Sequence, residues 1–156
     1  MNVDLPVLAS LLPSNDRHLD HCFRLIQKSK SRKVGILGLA FKAGTDDLRE
    51  SPMVRLVETL LGKGYQVKIY DRTVSLSRVI GANKRYIEEV LPHISELMVS
   101  DLDEILRHSE SIIIGDNAPE LRGFLERLNG SHQIIDLVGD DRLMAQCDGN
   151  YEGVCW

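Results

Sequence analysis

Paired cysteines are missing from this chain of 156 residues: its three, Cys22, Cys147 and Cys155, have no paired spacing. That excludes a disulfide framework and points to a reducing compartment. No run is apolar enough for a membrane, since the longest, Val34 to Phe41, falls far short of the ~20 residues a spanning helix needs. No targeting segment opens the chain, because Asn2-Val3-Asp4-Leu5 lacks a basic stretch followed by an apolar core. A soluble, cytoplasmic protein is expected.

An excess of positive charge is also lacking, with 19 Lys and Arg against 23 Asp and Glu. The formal charge is -4, and the longest basic cluster is Lys28-Ser29-Lys30-Ser31-Arg32-Lys33, which reads as a solvated connection. A nucleic-acid partner is therefore not expected. The five histidines are scattered, and His18 and His21 lack a third ligand, so no metal site is expected. No Gly-x-Ser-x-Gly turn supports a serine nucleophile. The hydrophobic content of 43% suffices for one domain, burying roughly two thirds of the surface its unfolded form exposes.

What the chain does have is concentrated between Lys33 and Pro52. Val34, Ile36, Leu37, Leu39 and Phe41 form a nearly continuous apolar run, the mark of a strand buried on both faces. Gly35 and Gly38 let another group approach the backbone, although Gly35-x-x-Gly38 is not the dinucleotide fingerprint. Ser51 is a suitable N-cap and Pro52 suits the first helical position. Met53, Val54, Leu56, Val57, Leu60 and Leu61 then repeat on one helical face, with Gly62 or Gly64 as the stop. The loop from Phe41 to Glu50 lies at the carboxyl end of the strand, where ligands bind in parallel sheets. It carries Lys42, a mobile point charge, and Arg49, a planar fork suited to phosphate. Both residue types are also ordinary solvated surface charge.

The remaining pattern is a helical lead, residues 1–31, followed by a sheet domain, residues 32–156. Leu5, Leu8, Leu12, Leu19, Phe23 and Ile26 stay in phase across Pro13, as one long helix or two nearly coaxial ones. Pro13 predicts a kink near Leu12, with Ser14-Asn15-Asp16 capping the next helix. Strands are expected at Gln66–Tyr70, Leu97–Val99, Ser111–Ile114 and Ile134–Val138. Helical stretches are expected from Val74, from Lys84 to Leu91, after an Asp101-x-x-Glu104 capping box, and from Glu120 to Leu128. Such alternation implies an α/β fold: a Rossmann-like, doubly wound parallel sheet of about five strands in order 3-2-1-4-5. Asp71 would stand where such folds keep an acid for ribose hydroxyls, and Gly115-Asp116-Asn117 and Gly139-Asp140-Asp141 would share its rim.

Gly38-Leu39-Ala40-Phe41-Lys42, with Thr45, Asp47, Arg49, Glu50 and Ser51, resembles the signature opening the C-terminal domain of the UDP-glucose/GDP-mannose dehydrogenase family. Ala43 to Pro52, Gly81-Ala82-Asn83-Lys84, Tyr86-Ile87-Glu88 and Gly153-Val154-Cys155-Trp156 are most similar to its GDP-mannose branch. The resemblance covers almost the whole chain and is thinnest over residues 116–132 and 140–150. It implies NAD-dependent, four-electron oxidation of a sugar-nucleotide alcohol to a uronic acid, through an aldehyde held on a cysteine and then a thioester. It also implies that Lys42 contacts the sugar nucleotide, GDP-mannose or a relative, and that Arg49 reaches NAD. The family's Gly-Gly-Ser-Cys-Leu-Pro-Lys-Asp nucleophile segment and N-terminal cofactor domain do not occur here, so the chain is expected to be inactive alone and to need a missing N-terminal part. By the same resemblance the helical lead is the tail of a long connecting helix and part of a homodimer contact; a helix packing only on its own domain is the other reading. Alginate-type polymer synthesis is the pathway the resemblance suggests.

Overall fold

The computed structural model describes residues 5–40, 47–74, 94–128, 130–139, 144 and 150–154. The helical stretches expected from Val74 and over Lys84–Leu91 lie outside these, apart from Val74 itself, which is in a turn. In chain order the elements are α1 (Pro6–Ala9), α2 (Leu11–Lys28), β1 (Lys33–Leu37), α3 (Pro52–Gly62), β2 (Gln66–Tyr70), α4 (Ile94–Leu97), α5 (Leu102–His108), β3 (Ser111–Ile114), a 3-10 turn (Pro119–Leu121), α6 (Arg122–Leu125), β4 (Gln133–Asp136) and β5 (Tyr151–Gly153).

The five strands form one sheet in the order β2-β1-β3-β4-β5, every pair parallel. β1 and β3 are buried along almost their whole length, which explains their uninterrupted apolar sequences. The strand expected at Leu97–Val99 is a single parallel bridge, Met98 to Ile69, on the outer side of β2. α4 runs to Leu97 and Asp101 already caps α5, so no length remains for a ladder. Across the sheet this gives the expected 3-2-1-4-5 sequence, with β5 added as an edge beyond it.

Alternation along the strands divides the core. Val34, Ile36, Ile113 and Ile135 pack with Cys22, Leu25 and Ile26 of α2 and with Met53, Val54, Leu56, Val57 and Leu60 of α3. Leu37, Ile112, Ile114 and Ile134 face the other way, onto Ile105 of α5 and Phe124 and Leu125 of α6. Each large apolar side chain removed from water contributes about 2 kcal/mol, so the five buried residues of α3 secure it to the sheet. Gly35 leaves room for α5: a Cβ there would lie 2.4 Å from Ser109 Oγ and 2.7 Å from Ile105 Cγ2.

The helical lead departs from expectation at its start. The break falls at Ser10, not beside Leu12, and Pro13 sits in the first turn of α2, where its missing N–H removes no helical bond. Ser14, Asn15 and Asp16 are therefore inside α2 rather than capping it. Only its later turns bury the apolar stripe; Leu5, Leu8 and Leu12 are 50%, 58% and 70% exposed. Three ties fix the buried part. Gln133 Nε2 donates to the Leu25 carbonyl (3.2 Å), Lys28 pairs with Glu152 (3.2 Å), and Arg55 of α3 pairs with Asp16 (2.7 Å). No described helix is long and apolar enough to cross a membrane.

Candidate functional site

The chain leaves β1, crosses to β2 on one side, and later returns to β3 on the other. The carboxyl ends of β1 and β3 are thus the switch point, the place where open α/β sheets bind ligands. Here the backbone is tightly organised. Gly38, at φ +90°, donates to the Tyr70 carbonyl (2.9 Å), and Gly115 donates to the Leu37 carbonyl (2.8 Å).

Asp71 governs the exit from β1, though not as a ligand residue. Its Oδ2 accepts from the N–H of Leu39 (2.7 Å) and Ala40 (3.2 Å), and its Oδ1 from Thr73 (2.9 Å) and Val74 (3.0 Å). With four backbone donors on one buried carboxylate, the ribose role suggested by its position is replaced by an architectural one. Asp136 does the equivalent after β4: Oδ1 accepts from Val138 (2.7 Å) and Gly139 (3.0 Å), and Oδ2 from the Tyr151 hydroxyl of β5 (2.7 Å). The sequence reading missed this second acid, and its strand-end position matching that of Asp71 was the available signal.

The base of the 40–50 loop is closed by Ser51, fully buried, whose Oγ donates to the Leu39 carbonyl (2.8 Å) and accepts from Met53 N–H (3.2 Å). Lys42 lies outside the described residues. Arg49 stands at the returning end of the loop, with its side chain 58% exposed. Its guanidinium grips Asp47 by two parallel bonds, Nε to Oδ1 (2.9 Å) and Nη2 to Oδ2 (2.8 Å), while Oδ1 also accepts the Arg49 N–H (3.1 Å). These hydrogen bonds hold the Asp47 carboxyl down at about 2. Glu50 comes next at φ 56°, a left-handed backbone uncommon for a side chain of its size, so the chain turns sharply just after Arg49.

Among the described residues, two cavities bear on ligand binding. At the switch point, the space between Gly38, Asp71, Thr73 and Asp116 is only about 10 Å³, and a Cβ on Gly38 would stand 2.5 Å from Asp116 Cβ. A larger cleft of about 400 Å³ opens on the α2 side, lined by Asn15, His18 and Cys22 of α2, Ala40, Pro52 and Met53 beside the loop, and Gly115, Leu137 and Val154 after β3, β4 and β5. The fold rule favours the switch point, whereas the room lies across the rim beside α2. Because the space at Gly38 is no larger than about one water and Asp71 is committed to the backbone, the described residues do not fit NAD in this domain's own switch-point crevice.

Cys22, buried at the wall of the cleft, has its thiol pushed up to about 12 by desolvation, the opposite of what a nucleophile needs. Among the described residues no group of three His, Cys, Asp or Glu side chains could hold a metal ion. His108 Nε2 contacts the Gln66 carbonyl (3.1 Å) and His132 Nε2 the Leu106 carbonyl (3.3 Å), both structural contacts.

Comparison with known proteins gives the same picture. Residues 35–139 match the UDP binding domain of the UDP-glucose/GDP-mannose dehydrogenase family. GDP-mannose 6-dehydrogenase of Pseudomonas aeruginosa is 45% identical over 156 residues, 100% of this chain and 35% of that protein; the enzyme of the same name from Azotobacter vinelandii is 40% identical over 155 residues, also 35% of its length. The crystal structure of a ternary complex of Pseudomonas aeruginosa GDP-mannose dehydrogenase superposes with a TM-score of 0.85 at 46% identity, covering 99% of this chain and 35% of the other. A UDP-glucose dehydrogenase from Pyrobaculum islandicum gives 0.71 at 25% identity, covering 95% and 32%. The chain thus spans about a third of the length of the relatives it matches, and its match lies in their C-terminal part. On the family match and the shared fold together, the chain belongs to the UDP-glucose/GDP-mannose dehydrogenase family.

Proposed function

We propose that the chain is the sugar-nucleotide-binding C-terminal domain of an NAD-dependent GDP-mannose 6-dehydrogenase, which oxidises GDP-mannose to GDP-mannuronate. The observation that carries this reading is the 45% identity to such an enzyme across all 156 residues. In this reading two cations of the segment after β1 hold anions: Lys42 contacts the sugar nucleotide, and Arg49 reaches the cofactor. Since the described residues of the switch-point crevice do not fit a dinucleotide, this reading places NAD on polypeptide outside this chain, along with the cysteine that carries the substrate. NAD, when bound, accepts hydride; the task of these residues is to hold anions and orient them.

A homodimer belongs to the same reading. Leu5, Val7, Leu8, Leu11 and Leu12 are all at least half exposed on the helical lead, a run of apolar surface that a partner chain would cover. A cytoplasmic setting agrees with a buried, free Cys22, and the uronate product would suit synthesis of a polyuronate such as alginate.

Titration calorimetry on the chain with GDP-mannose, GDP, UDP-glucose and NAD tests the proposal. Heat from the guanosine ligands, exceeding that from UDP-glucose, is expected. No heat from any ligand would leave a scaffold role. Reading upstream of Met1 for an in-frame Gly-Gly-Ser-Cys segment tests the enzyme assignment separately.

A further inference from the structure

We propose that Asp47 is a positioning residue for Arg49, holding its guanidinium side-on so that the end-on edge is presented to an anionic ligand; this rests on the reading of Arg49 as a cofactor contact. A guanidinium has two usable edges. Asp47 occupies the side-on edge, through Nε and Nη2, and no other described residue engages the fork. The edge formed by Nη1 and the second hydrogen of Nη2 remains, with the two-donor geometry that matches a phosphate.

Asp47 is well placed for this task. Its Oδ1 also takes the backbone N–H of Arg49, so the carboxylate is tied to the main chain as well as to the side chain it orients. Immediately beyond, left-handed Glu50 and buried Ser51 fix the direction in which the loop returns to α3. An unheld arginine would sweep a wide volume, since a side chain 58% exposed is only partly restrained by its surroundings. Binding an anion from a pre-aimed fork avoids that ordering cost.

The sign of one substitution separates this from the plain alternative. Were Asp47 merely a negative charge near an anion site, Asp47→Asn would remove repulsion and tighten cofactor binding. As a positioner, Asp47→Asn turns an amide donor toward Nη2 and weakens binding instead. In the full-length enzyme that carries this chain, we expect KM for NAD to rise about fivefold, the scale of an exposed ion pair. Neither kcat nor KM for GDP-mannose should change, and the thermal midpoint should stay within the spread of replicates. Asp47→Glu should recover part of the loss, and Asp47→Asn combined with Arg49→Lys should bind NAD no worse than Arg49→Lys alone. If Arg49→Lys raises KM for NAD while Asp47→Asn leaves it unchanged or lowers it, positioning by Asp47 is refuted and Arg49 keeps its role. If Arg49→Lys has no effect on NAD, the role given to Arg49 fails, and the positioning proposal fails with it. Additive effects in the double variant would also overturn it, because a residue acting through Arg49 has nothing to orient once the fork is gone.

Discussion

The hydroxyl of Ser51 donates to the carbonyl of Leu39 across 2.8 Å, joining the two residues that flank the loop carrying Lys42 and Arg49. The same oxygen caps α3 by accepting from Met53 N–H. One buried hydroxyl therefore sets both where the loop closes and where the helix starts. Ser51→Ala removes a cap and leaves a buried carbonyl unpaired, so a loss of about 2 kcal/mol is expected. Urea denaturation of the isolated chain would measure it; a shift below a few tenths of a kcal/mol would mean water replaces the hydroxyl.

Gly38 and Gly64 form a natural control pair. Both have left-handed backbones, at φ +90° and +77°, but a Cβ on Gly64 meets nothing within 4 Å, whereas one on Gly38 meets Asp116 Cβ at 2.5 Å. Gly64→Ala should cost about 1 kcal/mol from backbone strain alone. Gly38→Ala adds a collision with a neighbouring strand end, for a total of about 3 kcal/mol. Equal unfolding midpoints for the two variants would show that Asp116 yields readily and that the switch point is less tightly packed than its geometry implies.

The parts legible in the sequence are those that local chemistry determines. Ser51-Pro52 announced α3, Asp101 announced α5, and the apolar run around Ile36 announced a strand buried on both sides. What escaped depends on distant partners. β5 is three residues long and is held by partners distant in sequence: its ladder with β4, the Tyr151 hydroxyl on Asp136 and the Lys28–Glu152 pair. Ser14, Asn15 and Asp16 looked like caps, but Pro13 tolerates a first-turn position, which moved the helix start back to Leu11. Asp71 had the right position for a ribose acid, and only the positions of the Leu39, Ala40, Thr73 and Val74 N–H groups reveal that it is already occupied. Arg49 could be picked out in the sequence as a fork, while the edge that Asp47 takes is set by where the chain places that carboxylate.

Cys22 makes stability depend on alkaline pH. Burial raises its thiol from an ordinary 9.0 to about 12, so in that interval the unfolded chain releases a proton that the folded chain keeps. Its contribution is whole below about pH 9 and is lost as pH rises toward 12, with a slope of up to about 1.4 kcal/mol per pH unit. Wild-type and Cys22→Ala proteins compared by urea unfolding should therefore converge in stability as the solution is made alkaline. Parallel curves would mean the thiol reaches solvent in the folded state. The same burial predicts slow labelling by thiol reagents at about pH 8 until the chain unfolds.

Lys42 is the sharper test of the proposed chemistry. In its proposed contact with the sugar nucleotide, the Lys42 ammonium would stabilise negative charge as it develops during oxidation to a carboxylate, and do so best when it is fixed before the reaction begins. In the full-length enzyme, Lys42→Ala should lower kcat/KM for GDP-mannose by about 100-fold, the scale for one preorganised charge donor. Lys42→Arg keeps the charge but spreads it over a plane, so it should recover only part of that loss. The decisive comparison is with NAD: its KM should hardly change in either Lys42 variant, whereas Arg49→Lys should raise it. If both residues moved the same constant, the division of the loop into one residue for sugar nucleotide and one for cofactor would be wrong. An unchanged kcat/KM for Lys42→Ala would remove Lys42 from the site and leave Arg49 as the loop's only proposed anion contact.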